Sequence, residues 1–165
     1  MVPIIKISPP LNWTACDLAI QSLSDYDWLI FTSVNGVQFF LNRLHQEKAP
    51  PFKGKIAVLG KKTLTELEKY GWKTDMMPQL FSSRGLIEEF RKLDIAGKRI
   101  LIPTSHIAGD ELSEKLKNRG AVVNRLSVYR TMPANVSDKK NVLDDIKNNS
   151  INAIIFYIIQ HFFFV

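Results

Sequence analysis

The stretch "DYDWLIFTSVNGVQFF", residues 25–40, contains an apolar strand, a polar turn and an aromatic run. Residues 29–31, Leu-Ile-Phe, predict a buried strand. Thr32 and Ser33 follow at once, and apolar residues then recur at helical spacing, which predicts a helix over residues 34–46. Small polar side chains therefore lie where a strand passes into a helix, and this arrangement recurs along the chain.

The rest of the sequence alternates between strands and helices in the same way. Strands are predicted at 4–7, 28–32, 52–60, 73–78, 98–103 and 121–131, and helices at 14–23, 34–46, 61–70, 82–93 and 104–120. Strands separated by helices of this length predict a parallel sheet with helices on both faces, a flavodoxin-like three-layer α/β/α fold. Residues 136–149 predict a further helix, and residues 151–156 predict a further strand.

Four turns are predicted to join a strand to the helix after it. They are Thr32-Ser33-Val34-Asn35, Gly60-Lys61-Lys62-Thr63, Phe81-Ser82-Ser83-Arg84 and Pro103-Thr104-Ser105-His106. In a parallel sheet such turns gather at the carboxyl ends of the strands, and their free backbone N–H groups bind carboxylates or phosphates. The candidate binding residues are Thr32, Ser33, Asn35, Gly60, Lys61, Thr63, Ser82, Ser83, Arg84, Thr104 and Ser105. The alternative is that these hydroxyl and amide side chains only cap the helices.

Charge and composition indicate which partners and which cellular location to expect. The formal charge of +6 favours polyanionic partners, but the lysines are scattered, so a basic surface without a polyanionic partner is the alternative. No basic stripe is interleaved with aromatic residues, so we expect no nucleic-acid partner. One cysteine, Cys16, excludes a disulfide framework within the chain and is expected in the core. No apolar run is long enough to span a bilayer, and we expect a cytoplasmic protein.

The usual cofactor motifs are absent from the sequence. Residues 60–63, "GKKT", lack the upstream glycine of a phosphate-binding Walker loop, and no G-x-G-x-x-G occurs. His45, His106 and His161 are isolated in sequence, so no metal cluster is visible. We therefore expect neither a metal nor an organic cofactor. A flavodoxin-like module that binds a phosphorylated or polycarboxylate ligand remains the alternative to an enzyme.

Five segments in register resemble one family. "YDWLIFTSVNGVQFF", "KIAVLGKKTLTELEKYGW", "FSSRGLIEEF", "GKRILIPTSHIAGDEL" and "VVNRLSVYRT" are similar, in order and spacing, to the uroporphyrinogen-III synthase family. The resemblance covers residues 3 to about 156. Val34 and Gly36 depart from the family's usual proline and alanine, and residues 104–106 stand where an arginine, a glycine and an acid are common.

The resemblance implies two similar α/β domains joined by a two-stranded connector. Residues 1–9 and 125–132 would be the connector strands, and residues 10–124 one complete domain. Residues 133–165 would begin the other domain, whose remainder is absent from this sequence. The tail "YIIQHFFFV" replaces an expected Thr-Ser-rich turn. One choice of codons for residues 157–161 restores that turn after a one-base shift, so we expect a frameshifted tail.

The resemblance also implies a reaction. Members close the linear tetrapyrrole hydroxymethylbilane into uroporphyrinogen III, inverting the last pyrrole ring, and they act as monomers without cofactor or metal. Tyr129 matches the connector tyrosine that assists departure of the hydroxyl group as a proton donor, although it could equally be a packing aromatic. Thr63 and Ser33 match turn residues that hydrogen-bond substrate carboxylates. As a fragment, the chain is expected to be inactive alone.

Overall fold

The computed structural model describes residues 5–49, 51–134, 144 and 146–148. Its strands are β1 (Ile5–Ser8), β2 (Trp28–Phe31), β3 (Lys55–Val58), β4 (Arg99–Ser105) and β5 (Val122–Pro133). Its helices are α1 (Thr14–Gln21), α2 (Val34–Gln46), α3 (Lys61–Lys69), α4 (Ser83–Arg91) and α5 (Glu111–Lys117), and a short 3₁₀ turn covers Leu23–Asp25. Backbone contacts divide the chain into two units, residues 8–130 and residues 1–7 with 131–165. Apart from β1, the last residues of β5 and residues 144 and 146–147, the geometry below belongs to the first unit.

The sheet has the hydrogen-bonding order β1-β5-β4-β2-β3. β2 is parallel to both β3 and β4, and β4 is parallel to β5. The first parallel strand therefore lies inside the sheet, with the next strand in sequence at one edge, as in flavodoxin-like folds. The α/β class and the parallel sheet are confirmed. The predicted neighbourhood of the first and last strands is also confirmed, whereas their role as an interdomain connector stays a prediction.

Helices cover both faces of the sheet. Successive side chains of β2 point to opposite faces, and each face contacts a different helix. Trp28 packs edge-on against Phe90 of α4, with 4.9 Å between ring centroids. Phe31, three residues along β2, packs against Phe40 of α2 at 6.0 Å. All four of these aromatic residues are buried. The sheet is therefore the middle layer of three, which the alternation of elements predicts.

Polar bridges fix the helices that cover the α2 face. Arg43 of α2 makes two hydrogen bonds to Asp17 of α1, at 2.7 and 2.8 Å. Gln38 of α2 donates to Glu66 of α3 at 2.8 Å, and Lys69 donates to the other oxygen of Glu66 at 2.7 Å. The Lys69 hydrogen bond holds the pKa of Glu66 below its ordinary value. These contacts set where the N-terminus of α3 lies beside α2.

The predicted helix over residues 104–120 is wrong at its start. β4 continues through Thr104 and Ser105, which pair with β5, and α5 begins only at Glu111. Arg125 of β5 donates to the carbonyl oxygen of Ala108 at 2.6 Å, which holds the intervening turn against the sheet. Pairing with a long neighbouring strand therefore outweighed the local preference of a Thr-Ser pair for starting a helix.

The predicted strand at residues 73–78 is reduced to one parallel bridge between Ala57 and Met76. Backbone hydrogen bonds join Val58 to Met76 and Asp75 to Ile56, and side chains add further contacts. The Ile56 N–H donates to the Asp75 carboxylate at 2.8 Å, and Thr74 Oγ1 donates to the Ile56 carbonyl oxygen at 3.0 Å. The remaining boundaries agree with the predictions to within a few residues, β3 being shorter than expected. Of the predicted helix at 136–149, Asp144, Ile146 and Lys147 are helical, while the rest of it, the strand at 151–156 and the tail lie outside the described residues.

Candidate functional site

The carboxyl edge of the sheet brings the predicted turns together. Ser33 follows the end of β2, and Gly60 follows the end of β3. A Cβ placed on Gly60 would lie 3.3 Å from Cβ of Phe81, so the turn before α4 packs directly on the turn before α3. A Cβ on Gly36 would lie 2.9 Å from the Pro103 carbonyl oxygen, so the start of α2 packs on β4. We call the starts of α2, α3 and α4 with the end of β4 the rim.

Serine side chains occupy two of the three helix starts at the rim. Ser33 Oγ accepts a hydrogen bond from the Gly36 N–H at 3.0 Å, and Ser82 Oγ accepts one from the Gly85 N–H at 3.1 Å. Each serine is the N-cap residue of its helix, and each glycine is the third helical residue. The capping alternative raised by the sequence therefore describes Ser33 and Ser82 in this structure.

The third helix start, that of α3, has no such cap. Its N-cap residue is Gly60, which has no side chain to accept a hydrogen bond. Among the described residues, the backbone N–H groups of Lys61, Lys62 and Thr63 have no acceptor. Unpaired N–H groups at the positive end of the helix dipole are the groups that bind carboxylates and phosphates. Among the described residues, the first two N–H groups of α2 and α4 also have no acceptor, but only at α3 is the third N–H unpaired as well, so α3 is the most open of the three starts.

Thr63 adds an unpaired hydroxyl group to the same turn. Its side chain is fully buried, and among the described residues its Oγ1 has no hydrogen-bonding partner. A buried hydroxyl without a partner costs free energy, about 1–3 kcal/mol, and such groups are rare. Phe81 lies over Gly60, and its ring is 6.0 Å from Lys61 Nζ. Both side chains are exposed, so they can move away from the turn.

Basic side chains flank the start of α3. Lys61 and Arg84 are both exposed, and neither forms an ion pair with any described residue. Ser83 and Thr32 are half-buried. A cationic rim of this kind attracts negatively charged ligands.

Tyr129 lies on β5 and reaches the start of α2. Its hydroxyl is 3.1 Å from Ser33 Oγ, and its ring stacks on Phe39 with 5.9 Å between centroids. The side chain is 3% exposed. Burial raises the pKa of Tyr129 above its ordinary value, while hydrogen bonding to Ser33 and Asn35 lowers it by less. The phenol therefore remains protonated at neutral pH.

Thr104 and Ser105 lie at the rim, but not as part of a helix start. Both are buried in the last residues of β4, and Ser105 is paired with Tyr129 in the ladder. The predicted helix start at residues 103–106 is therefore wrong, because α5 begins six residues after Ser105, and substrate binding by Thr104 and Ser105 stays a prediction.

The described residues contain no metal-ligand group, and their one cysteine is buried. No group of three or more histidine, cysteine or acidic side chains there could hold a metal ion. Within the same part of the chain, no helix has the length and apolar character to cross a membrane. Cys16 is buried as expected, and burial raises the pKa of its thiol to about 12, which makes it unreactive.

The sequence analysis missed two features of the rim. The contact between Ser33 and Tyr129 joins residues 96 positions apart, which no local pattern indicates. The second feature, the difference between capped and uncapped helix starts, is visible in the sequence. Ser-x-x-Gly occurs at 33–36 and at 82–85, whereas residues 60–63 are Gly-x-x-Thr. Comparing these motifs would have separated the capped helix starts from the open one.

Comparison with known proteins identifies the family. The family model described as uroporphyrinogen-III synthase HemD matches residues 1–157. A uroporphyrinogen-III synthase of Synechococcus elongatus is 33% identical over 141 residues, 83% of this chain and 53% of that relative. A uroporphyrinogen-III synthase of Chlorobaculum parvum is 26% identical over 158 residues, 93% of this chain and 62% of that relative.

Solved structures agree on the fold. A mutant uroporphyrinogen III synthase from Thermus thermophilus superimposes with a TM-score of 0.66 at 17% identity, over 81% of this chain and 53% of that one. The Helicobacter pylori synthetase gives a TM-score of 0.56 at 20% identity, over 85% and 59% of the two chains. This chain spans between about half and three fifths of the length of these relatives. The family model and the parallel α/β fold lead to one conclusion: the chain belongs to the uroporphyrinogen-III synthase family.

Proposed function

We propose that the protein represented by this chain cyclises hydroxymethylbilane to uroporphyrinogen III, and that this chain binds the carboxylates of the tetrapyrrole at its rim. Family membership supports the reaction. The observation that supports the binding role is the open N-terminus of α3, with three unpaired backbone N–H groups next to the exposed Lys61. A substrate with eight carboxylates offers many groups for such a site.

The α3 site works by backbone hydrogen bonding. A carboxylate that approaches the Gly60-Lys61-Lys62-Thr63 turn accepts the free N–H groups and gains from the helix dipole. The Thr63 hydroxyl belongs to the same turn, and a ligand that reached it would also satisfy a buried group that has no partner among the described residues. Lys61 supplies charge from the same turn, and Arg84 supplies charge from the start of α4. Ser33 and Ser82 contribute less, because their oxygens already accept hydrogen bonds from their own helices.

Tyr129 is proposed as the proton donor to the departing hydroxyl group. The phenol is protonated at neutral pH, which a general acid requires, and its pKa is raised rather than lowered by burial. The hydroxyl group bonds Ser33 in the free chain, so Ser33 fixes its orientation. Because the side chain is buried here, donation requires that the bound substrate opens this contact. The rest of catalysis is positioning of the flexible bilane so that the inverted closure is favoured.

Two measurements test this proposal. The 165-residue chain is titrated with uroporphyrin III, the stable oxidised form of the product, and binding is followed by visible absorbance. We expect saturable binding that weakens as salt is added. Bilane made in situ is then added to the same chain, and we expect no type III isomer above the uncatalysed background, since the chain spans about half of its relatives. Absence of uroporphyrin binding would refute the binding role, and type III product at a normal rate would refute the need for further segments.

A further inference from the structure

A groove lies at the edge of the sheet opposite the rim. α2 starts at the rim with Val34 and ends at Gln46, about 20 Å away by the rise of a helix. The groove is lined by the last turn of α2 and the residues after it, by the segment before β3, by Ile56 of β3 and by the segment after α3. Its cavity volume is about 460 Å³. Pockets that hold small molecules have volumes of about 300–1,000 Å³.

Aromatic rings form the walls of this groove. Phe52 and Trp72 are parallel, with 6.2 Å between centroids and 6° between planes. His45 stacks on Tyr70 at 6.0 Å, and the Tyr70 hydroxyl donates to Asn42 at 3.0 Å, so this wall is held by α2 and α3 together. The buried Ile56 closes the floor. A planar apolar ring packs favourably against aromatic surfaces of this kind.

Gly54 allows one of these walls to form. A Cβ at this position would lie 2.5 Å from Cζ of Phe52 and 2.7 Å from the carbonyl oxygens of Tyr26 and Asp27. The chain can therefore cross these carbonyls and fold the Phe52 ring back only because residue 54 has no side chain.

Two lysines give the groove its charge. Lys48 and Lys73 both line it, and neither ammonium group forms an ion pair within the part of the chain that the structure describes. The acidic groups next to them are already engaged: Glu47 pairs with Arg43 at 2.8 Å, and Asp75 accepts from the Ile56 N–H. Lys48 also has a φ of 51°, a conformation that suits glycine better at the end of a helix. A charged side chain therefore occupies a backbone position that does not favour it.

We propose that this groove binds a planar aromatic anion, with the ring against Phe52 and Trp72 and the negative group between Lys48 and Lys73. The site is separate from the rim and does not depend on the proposed reaction. Its two requirements, an apolar ring and a negative charge, follow from the two parts of its lining.

The test uses 1-naphthoate as the probe and the indole N–H resonances of the ¹⁵N-labelled chain as the readout. The chain has three tryptophans, and Trp72→Phe identifies the peak of Trp72. We expect that peak to shift saturably with a Kd below about 1 mM, while the peak of Trp13, which lies under Arg43, stays in place. The neutral alcohol 1-naphthalenemethanol should bind at least about threefold more weakly, because it lacks the charge.

Lysine variants complete the test. Lys48→Gly, which suits the backbone, and Lys73→Gln should each raise the Kd at least about threefold, and Lys115→Gln on α5 should leave it unchanged. The proposal is overturned if the shift does not saturate or if Trp13 moves equally. It is also overturned if both groove variants bind like the wild type. A Trp72 peak that moves on dilution without probe would assign the groove to a second copy of the chain, and would overturn it too.

Discussion

The starts of α2 and α3 both contain a glycine and a residue with a hydroxyl side chain, but in opposite order. In α2 the serine hydroxyl is on the N-cap residue, Ser33, and the third helical residue is Gly36. In α3 the N-cap residue is Gly60, and the hydroxyl is on the third residue, Thr63. The first arrangement closes on itself through the Ser33–Gly36 hydrogen bond, whereas the second leaves its donors unpaired. α4 repeats the first arrangement with Ser82 and Gly85.

The difference shows how one rim can combine stability and binding. A serine N-cap stabilises a helix by about 1 kcal/mol relative to alanine, and α3 does without it. The N–H groups that α3 leaves unpaired remain available to a ligand carboxylate. We infer that the capped starts hold the rim in place and that the open start binds.

The largest expected effect concerns the glycine of the capped starts. A Cβ on Gly85 would lie 1.9 Å from the Leu80 carbonyl oxygen, so Gly85→Ala must displace backbone. We expect a loss of about 3 kcal/mol in the free energy of unfolding, measured by urea denaturation. The matched control is Gly60→Ala, whose Cβ would meet only the Phe81 side chain at 3.3 Å and should cost less than about 1 kcal/mol. Equal stability of Gly85→Ala and wild type would show that the Ser-x-x-Gly arrangement does not need its glycine.

Serine substitutions separate the two capped starts from each other. Ser33→Ala removes a cap and also the partner of the buried Tyr129 hydroxyl, and should cost about 2 kcal/mol. Ser82→Ala removes only a cap and should cost about 1 kcal/mol. In a double-mutant cycle, Ser33→Ala and Tyr129→Phe should be non-additive. Additive losses would mean that the Ser33–Tyr129 contact contributes nothing to stability.

The raised pKa of Tyr129 predicts that the free energy of unfolding depends on this residue at high pH. Because the pKa of the folded state lies above the ordinary value of 10.0, the stability this group contributes is fully present below pH 10.0. It is lost as the pH rises through the folded pKa, since the unfolded chain ionises first. The free energy of unfolding from about pH 9 to about pH 11.5 should fall more steeply for the wild type than for Tyr129→Phe. Parallel curves would contradict the burial of this phenol.

The smallest change in stability is expected from closing the open start. Gly60 has extended backbone with a φ of −170°, so a serine fits there and can accept from the Thr63 N–H. Gly60→Ser should raise stability by a few tenths of a kcal/mol and raise the Kd for uroporphyrin III at least about fivefold. Ser82→Gly, the reciprocal change at α4, should lower stability slightly without weakening binding. If Gly60→Ser binds uroporphyrin III like the wild type, the carboxylate is bound elsewhere.

Local patterns in the sequence predicted most of the fold. The apolar run ending at Phe31 and the helical spacing after Ser33 depend on neighbours within a few residues. The predicted end of β2 and the predicted start of α2 therefore agree closely with the structure. β4 ran past Pro103 because its length is decided by pairing with β5, which is distant in sequence. The residue pattern at 121–131 placed Tyr129 on the correct strand, but its burial against Ser33 and Phe39 depends on tertiary packing.

The candidate site was predicted as a set of equivalent turns, and the structure makes them unequal. Whether a hydroxyl at a helix start is engaged depends on whether it precedes the helix by one residue or lies inside the first turn. That distinction separates Ser33 and Ser82 from Thr63. The unpaired state of Thr63 could not be predicted, since it depends on what surrounds its buried side chain.

The most direct test of the open α3 start is the response of individual backbone N–H groups to ligand. The ¹⁵N-labelled chain is titrated with uroporphyrin III, and with citrate to exclude shifts caused by the porphyrin ring current. We predict saturable shifts at the N–H groups of Lys61, Lys62 and Thr63, with the N–H groups of Gly36 and Gly85 unmoved because their serines retain them. Shifts at the N–H groups of Gly36 and Gly85 that equal or exceed those of Lys61, Lys62 and Thr63 would contradict the account.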